Sequence, residues 1–237
     1  MNTYRTRAEL KTEVKRLLQG NWKKAIALYL IPLILLLITN GSSNSHSQSD
    51  VQYNLTNFDI SHIFWFATSL GIISFVLSIV FFLINVSATF RGLDWIEDPQ
   101  LDFEPFKSNF TYFRSPDWWK LIFVYVLTSI FTFLWTLLLI IPGIIKGIAY
   151  SQTYFVYKDL NDRGLADNYS LTDYITKSRQ LMVGNKGRYF VLQLSFIGWW
   201  ILGGITFGIG LIWIYPYYKL TMANFFHDLV EQNPNYA

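Results

Sequence analysis

Apolar residues in this chain gather into long unbroken runs, unlike the stripes or alternations of a water-soluble domain. Residues 63–90 contain no Lys, Arg, Asp or Glu, and neither do 121–145 or 189–218. As a helix, the 28 residues of 63–90 would reach roughly 42 Å at ~1.5 Å per residue. That exceeds a hydrocarbon core of ~30 Å, so the helix must tilt or extend into an interface. A shorter run, 22–39, contains Pro32 and follows a charged segment. A signal peptide competes for that position, but the charged segment is long and no small-x-small cleavage site follows.

The two later runs each read as one long helix or as two. Ile141-Pro142-Gly143 interrupts one and Gly208-Ile209-Gly210 the other, and Pro and Gly there would close tight helical turns. The distribution of cations decides between four spans and six. Seven precede residue 25: Arg5, Arg7, Lys11, Lys15, Arg16, Lys23 and Lys24. Segment 40–62 has none, while Arg91, Lys107, Arg114 and Lys120 lie between the second and third runs. Lys158, Arg163, Lys177, Arg179, Lys186 and Arg188 precede the next. Four spans would put that last cluster outside; six put every basic cluster inside. The expected spans are 22–39, 63–90, 121–141, 144–159, 189–207 and 211–228. Segments 1–21, 91–120, 160–188 and 229–237 are then cytoplasmic, and 40–62 is a mobile, Ser- and Asn-rich outer loop.

Each pair of spans follows a segment of helical amphipathic spacing. Leu10, Val14, Leu17 and Leu18 share one face after a Thr6–Glu9 capping box. Phe103, Phe106, Phe110 and Phe113 recur three or four residues apart, and Leu171, Tyr174, Ile175 and Met182 follow Ser170 and Asp173. The junctions Gly20-Asn21, Pro116-Asp117 and Gly184-Asn185 share a helix breaker and then a residue suited to cap the next helix, with a cation close behind. The expected fold is an all-α integral membrane protein of six transmembrane helices as three hairpins. A cytoplasmic interfacial amphipathic helix precedes each hairpin, its cations facing the anionic inner leaflet. Any interfacial helix joined to a span would share some of this pattern.

Composition agrees: 52% of the 237 residues are hydrophobic, 19% aromatic and 15% charged, against about 25% charged in a soluble domain. The absence of cysteine excludes disulfides, thiolate metal sites and Cys nucleophiles. The cations form no basic stripe interleaved with aromatics, so nucleic acid is not an expected partner.

The stretch Ile140-Ile141-Pro142-Gly143-Ile144-Ile145-Lys146-Gly147-Ile148-Ala149-Tyr150-Ser151-Gln152-Thr153 resembles the signature of a bacterial integral-membrane family known as domain of unknown function 975. Ser178 to Lys186, Leu194 to Trp200 and Tyr215-Pro216-Tyr217-Tyr218 resemble its other marks, with Asn185 where His is expected. The resemblance implies a bacterial plasma-membrane protein and no defined activity. A more distant similarity is to the membrane region of glycerophosphodiester phosphodiesterases, without their catalytic domain.

Lys219, inside the last span, is the most informative single residue, because a mid-span Lys costs about 2.5–3.5 kcal/mol on insertion scales. Together with Lys146, Tyr150, Tyr154, Tyr217 and Tyr218 it forms a candidate pocket for an anionic headgroup or phosphate. The competing reading has both lysines snorkelling and the tyrosines forming an aromatic belt. Asn85 is placed to hydrogen-bond across helices, and Gly143-x-x-x-Gly147 and Gly204-x-x-x-Gly208 to allow close approach. His46, Asp50, Asp59 and His62 match no metal spacing, and Asp94, Glu97, Asp98, Asp102 and Glu104 read as a solvated face. With no catalytic motif, no cofactor and no metal are expected. A non-enzymatic role follows, binding lipid, peptide or a membrane partner, with a homo-oligomer as one form. A small transporter or lipid translocator is the alternative.

Overall fold

The computed structural model describes residues 4–41, 60–138, 140–234 and 236. Residues 42–59 of the expected outer loop, with His46, Asp50 and Asp59, lie outside them. All regular structure among the described residues is helical: α1 Arg7–Leu18, α2 Trp22–Gly41, α3 Ile60–Glu97, α4 Pro105–Ser108, α5 Trp118–Leu138, α6 Ile140–Tyr150, α7 Thr153–Asp162, α8 Leu171–Leu181, α9 Lys186–Leu194, α10 Ile197–Ile205 and α11 Leu211–Gln232.

Within this frame Val76–Glu97, Trp118–Leu137 and Lys186–Ile205 are long and apolar enough to cross a membrane. The pair α1–α2, bent by 105°, would add a fourth span if counted as one. Their outer surfaces are apolar: Leu77 is 61% exposed, Leu137 73% and Ile205 69%. Exposed apolar surface on this scale is unfavourable in water and matches lipid. These helices mark a membrane protein.

The capping boxes form as the sequence predicts. The Glu9 carboxylate accepts from the Thr6 backbone N–H at 2.6 Å, and that of Asp173 from the Ser170 N–H at 2.8 Å. The backbone and hydroxyl donors of Thr6 hold the Glu9 carboxyl below its usual range, and the hydroxyl and backbone N–H of Ser170 do the same for Asp173.

Several local expectations are corrected. The apolar faces of α1 and α8 pack on protein and not on a leaflet: Leu10, Val14 and Leu18 are buried with α11, and Tyr174, Ile175 and Leu181 are buried as well. The Phe103 to Phe113 segment is no continuous helix. It is α4 plus a 3-10 turn, Thr111–Arg114, with Asn109 between them donating to Leu28 and Pro105 carbonyls at 3.0 Å. Phe103 turns inward beneath Lys24, 4.2 Å from its ring centroid, while Phe106, Phe110 and Phe113 stay exposed. Asn185 stands at the N-cap of α9 without a side-chain cap bond, and the Asn21 and Asn185 amides turn the other way. Each donates back to the carbonyl four residues earlier, Leu17 at 3.0 Å and Leu181 at 3.2 Å. They do so just after Gly20 and Gly184, whose φ values of 81° and 75° end α1 and α8 in left-handed turns.

Two expected single helices are broken. Run 144–159 spans α6 and α7, separated at Ser151 and Gln152; run 189–207 spans α9 and α10, separated at Ser195 and Phe196. Hydroxyls compete with the backbone there: Ser151 donates to the Ile148 carbonyl at 2.8 Å, Thr153 to Tyr150 at 2.7 Å and Ser195 to Leu192 at 2.6 Å. Pro142 and Gly143 stand in the first turn of α6 and not in a loop. A Cβ on Gly143 would lie 2.7 Å from the Thr136 Cα, which is how closely α5 and α6 pass. Gly204 and Gly208 meet nothing within 4 Å; Gly203 and Gly210 make the close α10–α11 contacts instead.

The packing is cyclic. Segment α4 packs on α2, α8 on α5, and α1 on α9 and α11. Each also sends one polar side chain to a main-chain carbonyl of the unit it covers: Asn109 to Leu28, Ser178 to Ala149 at 2.8 Å and Lys11 to Ser195 at 3.0 Å. The ring closes on Asp228 of α11, fully buried. It pairs with Arg188 at 2.6 Å and accepts from the Arg5 N–H at 3.1 Å.

Candidate functional site

A cavity of about 380 Å³ lies between α3, α5, α7, α9 and α11. Helical spacing builds its walls. Ser78, Phe82, Asn85 and Thr89 follow one face of α3, and Tyr218, Lys219 and Met222 one face of α11. Tyr125 of α5 and Tyr189 of α9 complete the wall with Ser151 and Tyr154, which the break before α7 turns toward it. The Phe82 ring meets Tyr125 at a tilt (4.4 Å between centroids) and Tyr154 edge-on (5.5 Å). Ser78 and Tyr125 are exposed and form the rim.

Among the described residues, Lys219 is the only lysine or arginine lining this cavity, and no Asp or Glu lines it. Its ammonium donates to Asn85 Oδ1 at 2.8 Å, and Asn85 Nδ2 donates to the Tyr215 hydroxyl at 3.1 Å. Beside it on α11 the Tyr218 hydroxyl donates to Gln193 Oε1 at 2.9 Å, and Gln193 Nε2 donates to the Tyr189 hydroxyl at 2.9 Å. An ammonium in low dielectric with a neutral amide partner lacks the compensation a carboxylate would give. The arrangement therefore favours an anion, with tyrosine and serine hydroxyls available as further donors.

Of the six residues proposed from sequence, Tyr154, Tyr218 and Lys219 line this cavity and three do not. Lys146 lies over the Trp135 ring at 4.4 Å, on the α5–α6 pair. Tyr150 is buried with Ala149 and Ile175. Tyr217 points to another side of α11, against Phe196 and Trp199 at 5.3 and 6.0 Å. Residues 217, 218 and 219 are successive, so about 100° of helical rotation separates each from the next and one cavity cannot take all three. Tyr125, Ser151, Tyr189 and Gln193 were missed. The polar positions Ser78, Asn85 and Thr89, four to seven apart in an apolar run, are the signal that would have found the α3 wall.

A second polar group lies at the C-terminal end of α3. Lys158 is nearly buried, paired with Asp94 and, at 2.5 Å, with Asp162; Arg91 reaches Asp94 at 3.2 Å. Asp94 is thus part of an ion-pair network and not a free solvated face. Among the described residues no three His, Asp or Glu side chains gather as metal ligands.

Fold and cavity together define an all-helical membrane protein with a cation facing an internal, hydroxyl-lined space. Residues 136–233 match the model of a family described as protein of unknown function (DUF975). That match takes in Tyr154, Tyr189, Tyr218 and Lys219, whereas Asn85 and Tyr125 precede it. Comparison with curated proteins and with solved structures finds no match.

Proposed function

We propose that this is a non-catalytic, multi-pass membrane protein whose Lys219 cavity binds a singly or doubly charged oxyanion, either a lipid headgroup phosphate or a free one. The observation that carries this reading is the Lys219 ammonium, hydrogen-bonded to neutral Asn85 in a cavity with no lining carboxylate among the described residues. A volume near 380 Å³ lies within the ~300–1,000 Å³ of small-molecule sites. An exposed rim at Ser78 and Tyr125 supports entry of a headgroup from the side. In this reading the protein crosses a bacterial plasma membrane six times, with both ends and the segments holding Lys107 and Lys177 in the cytoplasm. The cation distribution supports that orientation.

Native mass spectrometry of the protein released in mild detergent, beside Lys219→Leu, tests the binding. A retained phospholipid, or an added phosphate ion, is expected on the wild type and lost in the variant. Phospholipid retention identifies a headgroup site, and phosphate retention after delipidation identifies a free-anion site. Equal retention by both proteins would remove Lys219 from the reading.

A further inference from the structure

Three cavities lie in series along α3. The first is the Lys219 cavity. The second, about 440 Å³, is lined by Arg91, Asp94, Lys158 and Asp162, and the third, about 840 Å³, by Lys107 and Arg114 together with Asp102 and Glu104. The second and third share Arg91 and Thr111; the first and second share a single residue, Phe90. Phe90 is 1% exposed. Its ring meets Tyr112 edge-on at 5.0 Å and has the Lys158 ammonium 5.9 Å from its centroid.

Cations are present at each stage: Lys107, paired with Glu104 at 2.6 Å, and Arg114 at the surface, Arg91 and Lys158 in the middle, Lys219 at the end. In the middle cavity Asp94 and Asp162 partner Lys158, and Asp94 also takes Arg91 Nη1. Arg91 Nε is buried with no hydrogen-bond partner among the described residues. The carboxylates already engaged with Arg91 and Lys158 partly neutralise those cations and would keep an anion in transit from being held too tightly to leave.

We infer that Phe90 is the closure of a route by which an anionic solute or headgroup passes between the face bearing Lys107 and Arg114 and the Lys219 cavity, making the protein a translocator and not only a binder. This rests on the anion reading of the Lys219 cavity. Phe90 is the residue the two linings share among the described residues, so a rotation of its side chain is the movement that would bear on both spaces at once.

Cysteine accessibility tests the route without knowledge of the ligand, since the chain has no cysteine of its own. Thr89→Cys places a thiol on the Lys219 side of Phe90, and Lys107→Cys in a separate protein marks the other face. Membrane vesicles of each sidedness are treated with anionic sulfonatoethyl or cationic trimethylammonioethyl methanethiosulfonate. From the face that labels Lys107→Cys, modification of Thr89→Cys is expected to be slow. Phe90→Ala should accelerate it about tenfold or more, with Phe90→Leu between, and the anionic reagent should react faster. The Phe90→Leu variant keeps the test decisive if Phe90→Ala does not fold. Rates indifferent to residue 90, access from the opposite face only, or preference for the cationic reagent would each overturn the route. If residue 90 controls access while native mass spectrometry finds no bound anion, it is the anion reading that falls, and the closure stands as a gate for another solute.

Discussion

Pro32 sits inside α2 and has no N–H to return to the carbonyl of Leu28, four residues earlier. In a membrane helix that carbonyl would go unsatisfied at a cost of several kcal/mol. Asn109, fully buried and 81 positions away in sequence, donates to it at 3.0 Å. Asn109→Ala is expected to lower stability by about 1–3 kcal/mol, read as thermal unfolding in detergent. Pro32→Ala in the same chain should recover part of the loss, because an alanine at that position supplies the missing N–H donor. Two losses that simply add would refute the pairing. Pro32 was legible in the sequence, but its partner was not, since nothing in a sequence ties position 109 to 28. Gly92 makes the same point: a Cβ there would fall 2.1 Å from the Tyr29 hydroxyl oxygen, a constraint set wholly by a packed neighbour.

Helix ends and breaks follow local chemistry where that chemistry is strong. The boxes at Thr6 and Ser170 were readable because both partners lie within one turn. The breaks near Ser151 and Ser195 were not, because hydropathy sees an apolar run and is blind to a hydroxyl returning to its own backbone. Glycine spacing misled at Gly204 and Gly208, where the face presented to a neighbour decides and spacing does not. That contrast gives a test. Gly143→Ala presses on the Thr136 backbone and should destabilise by about 1–3 kcal/mol by overpacking. Gly204→Ala meets open space and should be neutral or stabilising by up to about 1 kcal/mol, as alanine is the better helix former. Equal effects in detergent melts would show that α5 and α6 are not held at the distance described.

At the scale of the molecule, apolar runs and cation placement were enough to expect an all-helical membrane protein, whereas the packing of α1, α4 and α8 on other helices was not legible, because an amphipathic face does not say whether protein or lipid covers it. Three of the six residues proposed from sequence line the cavity, because polar residues in apolar helices are conspicuous, yet rotation about α11 separates Tyr217 from Lys219 and only the structure shows it. The proposed orientation is open to direct test with single cysteines at Ser45 and Ser170. Impermeant thiol reagents on intact cells should reach Ser45→Cys and spare Ser170→Cys. The reverse pattern would invert the topology and abolish the six-span reading.

The ring closes through contacts between opposite ends of the chain: the Arg5 N–H meets Asp228 across 223 positions and Lys11 reaches Ser195 across 184. A ribosome makes α1 well before α11. The N-terminal helix therefore has to wait, its apolar face uncovered, while the rest of the protein is synthesised and inserted. Only after α11 enters can the earlier segment settle, so a late helix completes the packing of an early one.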